Sequence, residues 1–222
     1  MTTRPYEQKL RASAAEETRL KILEATRDRL RAAPSEPVSV EKVAQDAGVA
    51  RSTVYLIFGS RAGLFQALGH YLLERAGFDR IVAAVGLPDA REALEESLRA
   101  AVDVYADERD VARALSSMAQ LNPEAVGGAF DVVDHGRAEG LLALATRLQE
   151  QGQLRPELTP QEAADSLWVI TSFDTFDQLY TGRRLDRATV ADRLVGLATR
   201  AICIPARGHR SPPRRKTPPT HR

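Results

Sequence analysis

Apolar residues near the amino end recur at the spacing of two short helices, in the stretch VEKVAQDAGVARSTVYLIF at positions 40–58. Val40 and Val43 lie three residues apart on one helical face, and Ser39 just before them is a residue type that favours a helix N-cap. Gly48 is predicted to end this first helix, because the residue just past a helix end commonly has a positive φ, which glycine adopts without steric cost. The pattern therefore predicts a tight turn at Gly48.

The second helix of this stretch is predicted to begin near Arg51, with Val54 and Phe58 facing inward four residues apart. Ala44 in the first helix is small enough for the second helix to cross it closely. This spacing is typical of a helix-turn-helix, whose second helix enters the major groove of DNA. The donor-rich residues at the outward-facing start of that helix are Arg51, Ser52, Thr53 and Tyr55. On the local pattern alone, the alternative is an ordinary helical corner with a polar outer face.

Further helices are predicted on both sides of this motif. Ser13 and Glu16 have capping-box spacing, and apolar residues then follow at helical intervals up to Pro34, which predicts a first helix packed on the motif. On the other side, Ser60 is predicted to cap a helix whose first residue is Arg61. A cation beside the free N–H groups of a helix start is unfavourable unless an anion lies opposite, and a DNA phosphate is such an anion. A solvated arginine is the alternative.

The segment AGVARSTVYLIFGSRAGLFQAL resembles the DNA-binding signature of the tetracycline-repressor (TetR) family of bacterial regulators, and the resemblance covers roughly residues 15 to 72. The residues that it places against DNA are Ser39, Arg51, Ser52, Thr53, Tyr55 and Arg61. Of these, Ser39, Tyr55 and Arg61 are expected to contact phosphates, with Arg61 standing where the family usually has a lysine. The other three are expected to face bases or backbone.

Two positions of the second helix of the motif depart from the family's pattern, as do Leu30 and Pro34 in and after the first helix. Leu56 and Ile57 stand where an aromatic residue and a histidine or tyrosine are common, so fewer polar contacts are expected here. Direct reading of bases then falls mainly on Arg51. An arginine bonds guanine through O6 and N7, and such a pair discriminates against the wrong base by about 1–3 kcal/mol.

Residues 73–205 show helical periodicity without a strand pattern, so an all-α fold is predicted, with breaks at 86–89, 107–110, 122–123, 152–160 and 182–186. In the resembled family this larger domain binds a small molecule and dimerises through its last two helices. Here those helices are predicted at about 160–181 and 186–203. Their apolar residues lie on more than one face, which is consistent with a four-helix dimer interface. The alternative is that these residues fill the core of a single chain.

The candidates for a ligand pocket in this domain are Tyr105, Met118, His135, Trp168, Phe173 and Phe176. Residues of these types at helical spacing are more often plain core than pocket wall. Glycines at 127, 128, 136 and 140 interrupt the central helix and leave room for a ligand or a kink. The acidic residues at 131, 134, 174 and 177 are expected to be surface charges and not ligand partners.

Charge is distributed unevenly although the formal net charge is only +1. Residues 1–70 hold 11 Lys and Arg against 8 Asp and Glu, residues 71–205 hold 14 against 22, and residues 206–222 hold 6 against none. This asymmetry suits a chain whose amino-terminal part meets a polyanion. The predicted organisation is a flexible basic arm (1–12), a helix-turn-helix domain (13–60), a helical effector and dimerisation domain (61–205) and a disordered basic, proline-rich tail (206–222).

Other classes of protein find little support in the sequence. The single cysteine, Cys203, cannot form an internal disulfide, and neither a signal peptide nor an 18-residue apolar run is evident, so a cytoplasmic protein without a membrane span is expected. No metal-ligand spacing, cofactor motif or catalytic motif stands out. Ser39 and Lys42 have the S-x-x-K spacing of a serine acylase, but the companion motifs are missing and the helix-turn-helix accounts for both residues.

The function expected from these patterns is that of a homodimeric repressor, which a small apolar or aromatic ligand releases from a palindromic double-stranded DNA operator. The alternative is a DNA-binding dimer that acts constitutively or responds to a protein partner. An open apolar pocket would favour the first, and a fully packed interior would favour the second.

Overall fold

The computed structural model describes residues 3–34, 36, 38–121 and 129–205. The helices of these ranges are α1 (Thr3–Ala32), α2 (Val40–Asp46), α3 (Arg51–Phe58), α4 (Arg61–Arg75), α5 (Phe78–Val85), α6 (Ala90–Asp107), α7 (Arg109–Leu121), α8 (Ala129–Glu150), α9 (Pro160–Ile170), α10 (Phe173–Asp177), a π-helical turn (Gln178–Gly182) and α11 (Arg187–Ile202). One isolated antiparallel bridge joins Leu154 to Cys203. The predicted all-α fold is confirmed, whereas the predictions for the tail and for the break at 122–123 lie outside the described residues.

A first core is formed by α1 to α4 together with one face of α7. Its fully buried side chains include Leu23 of α1, Val43 of α2 and Phe65 of α4. Because Phe65 and its neighbours in α4 are buried against α1, this core extends past residue 60, where the first domain was predicted to end. The α7 helix contributes Val111 and therefore links this core to the rest of the chain.

A second core is built from α6, α8, α9, α10 and α11. The α6 helix lies at its centre, with α11 and α8 packed against it, and α9 packs on α8. Leu94 of α6, Leu148 of α8 and Leu167 of α9 are fully buried in this core. The small α5 helix lies along α6, and α4 contacts α8, so the two cores share a continuous helical framework.

The first helix begins earlier than the capping-box spacing predicted. It starts at Thr3 and not at Ser13, so residues 3–12 are helical and are not an arm without regular structure. Pro5 lies in the first turn, where its missing N–H is not needed by the helix, and most of the residues after it are good helix formers. Ser13 and Glu16 therefore lie inside the helix and cannot act as its cap.

Two breaks were not predicted. The α4 helix ends at Arg75, and Gly77 has a left-handed conformation before α5 begins. The predicted helix at 160–181 is interrupted after Ile170, where the Thr171 hydroxyl bonds back to the Leu167 carbonyl and the Ser172 hydroxyl accepts the Thr175 N–H as the cap of α10. Such side-chain bonds to the backbone compete with helix continuation.

Candidate nucleic-acid interface

The α2 and α3 helices form the predicted helix-turn-helix. Ala47 ends α2, and Gly48 has a φ of 67°, which confirms the predicted positive φ at the turn. The Val49 N–H then donates to the Ala44 carbonyl at 2.9 Å and closes the turn. Val54 of α3 is buried in the first core, so the opposite face of α3 is directed away from the protein.

The start of α4 is held against the end of α3 by a close backbone approach. The Ser60 hydroxyl accepts the Gly63 N–H at 3.0 Å, which confirms the predicted cap. A Cβ at Gly63 would lie 2.1 Å from the carbonyl oxygen of Phe58, so only glycine permits this contact. The packing fixes the first residue of α4, Arg61, beside the amino-terminal part of the helix-turn-helix.

A cleft of about 340 Å³ lies on the surface of this motif. The residues that line it are Val38, Ser39, Val40, Glu41, Arg51, Tyr55 and Arg61. Four of the six predicted DNA contacts, from α3 and from the starts of α2 and α4, are thus brought to one site. Hydroxyl groups and guanidinium groups in one cleft make a site suited to an oxyanion such as a phosphate.

The cations of the cleft are positioned by aromatic rings. The guanidinium carbon of Arg51 lies 5.4 Å from the centroid of the Tyr55 ring, and Arg51 Nη2 lies 3.4 Å from the Tyr55 hydroxyl. The guanidinium carbon of Arg61 lies 5.4 Å from the centroid of Phe65. Among the described residues, the buried Nε of Arg61 has no hydrogen-bond partner.

Ser39 occupies the predicted N-cap position of α2 with an extended backbone. The structure describes every residue of α2, and none of its N–H groups is capped by the Ser39 hydroxyl. The hydroxyl is therefore not used in capping the helix. Lys42, the second residue of the S-x-x-K spacing, lies 3.8 Å from the Glu36 carboxylate on an exposed surface.

The outer face of α3 carries the two remaining predicted DNA contacts and one apolar residue. Ser52 is exposed and Thr53 is half-buried. Leu56 is 84% exposed, the largest exposed fraction among the large apolar side chains of the described residues. An apolar side chain of this size therefore stands in the middle of a surface that otherwise presents polar groups.

Glu41 is a residue of the cleft that the sequence pattern did not single out. It lies in the first turn of α2. The hydrogen bond with the Tyr55 hydroxyl raises the pKa of Arg51 most, and the negative charge of Glu41 adds to this effect. The signal that was overlooked is the position of Glu41, two residues after the cap, on the side of α2 opposite the buried Val43. A carboxylate here lowers the positive potential of a cleft that is otherwise cationic.

Three of the six predicted ligand-pocket residues meet in one aromatic cluster. The Tyr105 ring centroid lies 5.6 Å from that of Phe173 and 5.6 Å from that of Phe176, and Phe176 stacks on Tyr180 at 5.1 Å. The Tyr105 hydroxyl donates to the Thr171 carbonyl at 3.1 Å, and burial raises the pKa of Tyr105. These rings belong to the second core or pack against it.

The other three predicted pocket residues lie apart from this cluster. Trp168 carries the guanidinium of Arg137 at 3.5 Å from its ring centroid. Met118 packs against the first core and not the second. His135 is largely exposed, and its Nε2 lies 3.2 Å from the Glu139 carboxylate in the next turn of α8.

Asp177 was expected to be a surface charge, but its side chain is only 1% exposed. It accepts hydrogen bonds from Arg109 Nε at 2.7 Å, from Thr181 at 2.6 Å and from Arg113. Burial opposes the ionisation of Asp177, but these hydrogen bonds and the two positive charges outweigh it and lower the pKa of its carboxyl group. The α10 helix, which carries two rings of the aromatic cluster, is thereby fixed to the start of α7.

The described part of the chain contains no group of three or more metal-ligating side chains. None of its helices is both long enough and apolar enough to cross a membrane. A helix-turn-helix with a hydroxyl- and guanidinium-lined cleft defines the class of protein, a DNA-binding regulator.

Comparison with known proteins shows which family the helix-turn-helix region resembles. Residues 22–68 match the family model described as "Bacterial regulatory proteins, tetR family". This part of the chain, which holds the helix-turn-helix, is therefore similar to the DNA-binding domain of TetR-family regulators. A comparison with curated proteins gives no significant match.

Solved structures of TetR-family proteins share the fold over most of the chain. NalD of Pseudomonas aeruginosa, the secondary repressor of the MexAB-OprM multidrug efflux pump, is 24% identical with a TM-score of 0.63, covering 86% of this chain and 98% of NalD. The fatty acid degradation regulator FadR of Bacillus halodurans is 19% identical with a TM-score of 0.66, and the match covers 82% of this chain and 94% of FadR. A regulator from Marinobacter aquaeolei VT8 is 18% identical with a TM-score of 0.63, covering 86% and 98%.

Proposed function

We propose that the protein is a cytoplasmic, homodimeric transcriptional repressor that a small apolar or aromatic ligand releases from a palindromic operator. The observation that carries the proposal is the cleft that unites Ser39, Arg51, Tyr55 and Arg61 on the exposed side of the helix-turn-helix. Ser39, Tyr55 and Arg61 bind phosphates and set the register on the duplex, while Arg51, Ser52 and Thr53 face the base edges of the major groove.

Exposed apolar residues on the last helices support a dimer. Val169 of α9 is 64% exposed and Leu197 of α11 is 48% exposed. Two copies that pair these helices bury both side chains in a four-helix interface. The two copies of α3 then have to lie about 34–36 Å apart to enter successive major grooves, which is why the operator is expected to be palindromic.

An apolar or aromatic ligand of the second domain would have to displace part of the packed aromatic cluster around Tyr105 and Phe176, whose rings supply apolar contacts for it. Two structural relatives are named for a multidrug efflux pump and for fatty acid degradation, respectively, and apolar ligands of this chain would suit the same kind of control. A ligand that binds better to a dimer with another spacing of the two α3 helices lowers the affinity for DNA by its differential affinity, and DNA weakens the ligand reciprocally.

The junction of α6 and α7 supports a mechanical route between the two sites. Glu108 at this junction accepts hydrogen bonds from Arg27 of α1, and the adjacent Arg109 donates to Asp177 of α10. A ligand that displaces α10 therefore shifts Arg109 and with it the adjacent Glu108, which is bonded to α1 in the first core. The junction is thus one route between the two sites, beside the contact of α4 with α8.

The proposal is tested by selecting bound sequences from random duplex DNA with the full-length protein at low ionic strength. Enrichment of one palindromic sequence is expected, and a double variant, Arg51→Ala with Arg61→Ala, serves as the control that should enrich none. Candidate apolar compounds are then titrated into the complex with the selected duplex. A strictly monomeric protein, or one without affinity for duplex DNA, would overturn the proposal.

A second candidate is a DNA-binding dimer without a small-molecule effector. The close packing of the aromatic cluster favours it, because Phe176 is fully buried and its ring centroid lies 5.1–6.1 Å from those of three neighbouring rings. In that case the selected duplex is bound with the same affinity in the presence of every compound titrated. Both candidates share the DNA-binding site, so the titration separates them.

A further inference from the structure

Leu56 lies at the centre of the outward face of α3. Successive residues of an α-helix are about 100° apart, which places Leu56 and Ser52 each about 160° around the helix from Val54. Val54 is buried in the first core, whereas Leu56 is 84% exposed. The face that is directed furthest from the protein is therefore formed by a hydroxyl and an isobutyl group.

The residues around Leu56 indicate which kind of binding partner would cover it. Arg51 and Tyr55 lie on one flank of the same face of α3, and both line the cationic cleft. A partner surface with matching chemistry is anionic at the flank and has an apolar spot at the centre. A duplex has this pattern, because phosphates border the major groove and the 5-methyl group of thymine is the apolar group that base edges present there.

We propose that Leu56 is a specificity-determining residue that reads a thymine through its 5-methyl group. This inference rests on the proposed function, since it requires α3 to enter the major groove. Contact between the leucine side chain and the methyl group removes apolar surface of both from water. A purine at this position places N7 and a polar substituent against the leucine side chain, where they lose water without gaining a hydrogen bond, and cytosine lacks the methyl group.

Leu56 stands where the resembled family commonly has an aromatic residue, and its chemistry limits what it can contribute to binding. Because an aliphatic side chain carries no donor or acceptor, Leu56 cannot bond a phosphate or a base edge. Its contribution is restricted to apolar contact. The operator should therefore contain a thymine that contacts Leu56, in addition to the base that Arg51 bonds. One buried methyl group contributes about 0.8 kcal/mol, which corresponds to about a fourfold change in affinity for each half-site.

The test removes the methyl group without changing a base pair. In the selected operator, each thymine is replaced in turn by deoxyuridine, symmetrically in both half-sites, and the Kd is measured for the wild type and for Leu56→Ala. The expected result is one thymine position at which uracil weakens the wild type about fourfold per half-site and leaves Leu56→Ala unchanged. Because Leu56 is exposed, Leu56→Ala is expected to have the same midpoint temperature of thermal unfolding as the wild type, which is measured by circular dichroism.

Val82→Ala provides the matched control, since Val82 is an apolar residue of α5 that is 58% exposed and should retain the full dependence on the methyl group. The inference is overturned if uracil costs the wild type nothing at every position, or if Leu56→Ala keeps the same penalty as the wild type. Failure of the proposed function is a different outcome, because then no operator is selected and no duplex is bound at all.

Discussion

Arg27 of α1 and Glu108 at the junction of α6 and α7 form a bidentate ion pair that connects the first core to the rest of the chain. Arg27 Nε lies 2.9 Å and 3.0 Å from the two carboxylate oxygens, and Nη2 lies 2.8 Å from one of them. Both side chains are about nine-tenths buried, and the hydrogen bond with Glu108 raises the pKa of Arg27. Arg31 and Arg75 approach the same carboxylate from α1 and α4, at 3.4 Å and 3.5 Å.

Glu108→Ala is expected to destabilise the fold. Removing one partner of a buried ion pair leaves the other charge uncompensated, which typically costs about 3–5 kcal/mol. The free energy of unfolding is measured in urea at one fixed protein concentration, because a dimer's stability depends on concentration. Glu36→Ala is the control, since the Glu36–Lys42 pair spans 3.8 Å between exposed side chains and should contribute less than about 1 kcal/mol. Equal effects of the two substitutions on the unfolding free energy would contradict this account.

Asp177 is expected to make stability depend on acidic pH. Burial opposes the ionisation of its carboxyl group, but the hydrogen bonds and the charges of Arg109 and Arg113 outweigh burial and lower its pKa in the folded protein. The pKa of this carboxyl group is lower in the folded protein than in the unfolded chain, where it is about 3.9. The ionised carboxylate therefore stabilises the fold at a pH above the unfolded pKa, and this contribution is lost as the pH falls through the folded pKa. Unfolding in urea is compared between pH 7 and pH 3 for the wild type and Asp177→Asn.

The difference in unfolding free energy between these two proteins should be largest near neutral pH and should shrink as the pH falls. Asp192→Asn provides the control, because Asp192 is an exposed partner of Arg99 whose removal should have only a small effect at either pH. A difference between the wild type and Asp177→Asn that stays constant over the range would show that the Asp177 carboxylate is not preferentially stabilised in the fold.

The helix-turn-helix could be predicted from the sequence because its determinants are local. The Val40 and Val43 spacing, the positive φ at Gly48 and the cap at Ser60 each depend on residues within a few positions of one another. Pairs such as Arg27 with Glu108, which are 81 positions apart, leave no periodic signal in one sequence. Asp177 was misjudged for the same reason, because its burial depends on arginines 64 and 68 positions away.

Arg51→Ala and Arg61→Ala are expected to weaken DNA binding in different ways. Without the Arg61 guanidinium, binding to all sequences should weaken, and the slope of log K against log salt should fall by about 0.9 for each phosphate that is no longer neutralised. Without Arg51, the preference for the operator over random DNA should mainly decrease. Both are measured by fluorescence anisotropy over a range of salt concentrations, with Tyr55→Ala expected to resemble Arg61→Ala. If Arg51→Ala weakens binding to operator and to random DNA equally, this would count against base reading.

Glu41→Gln is expected to strengthen binding to duplex DNA of any sequence. The carboxylate lines the same cleft as Arg51 and Arg61, so it repels the phosphates that these cations attract. Removing its charge should raise the affinity for random DNA, and the increase should diminish at high salt as the repulsion is screened. Glu24→Gln, in the exposed part of α1, does not line the cleft and should have a smaller effect. A lower affinity of Glu41→Gln would instead show that the carboxylate assists binding, for instance by orienting Arg51.

Val169→Asp and Leu197→Asp are expected to dissociate the dimer and to abolish operator binding at concentrations where the wild type is saturated. A carboxylate at either position would have to lose its water on assembly, whereas the native side chains are stabilised by being covered. Sedimentation measures the oligomeric state, and anisotropy with full and half operators measures DNA affinity. Val82→Asp is the matched control, because Val82 is also an exposed apolar residue but lies on α5, outside the proposed interface. A monomeric variant should keep weak affinity for a half-site, since its helix-turn-helix is unchanged, and a variant that remains dimeric would place the interface elsewhere.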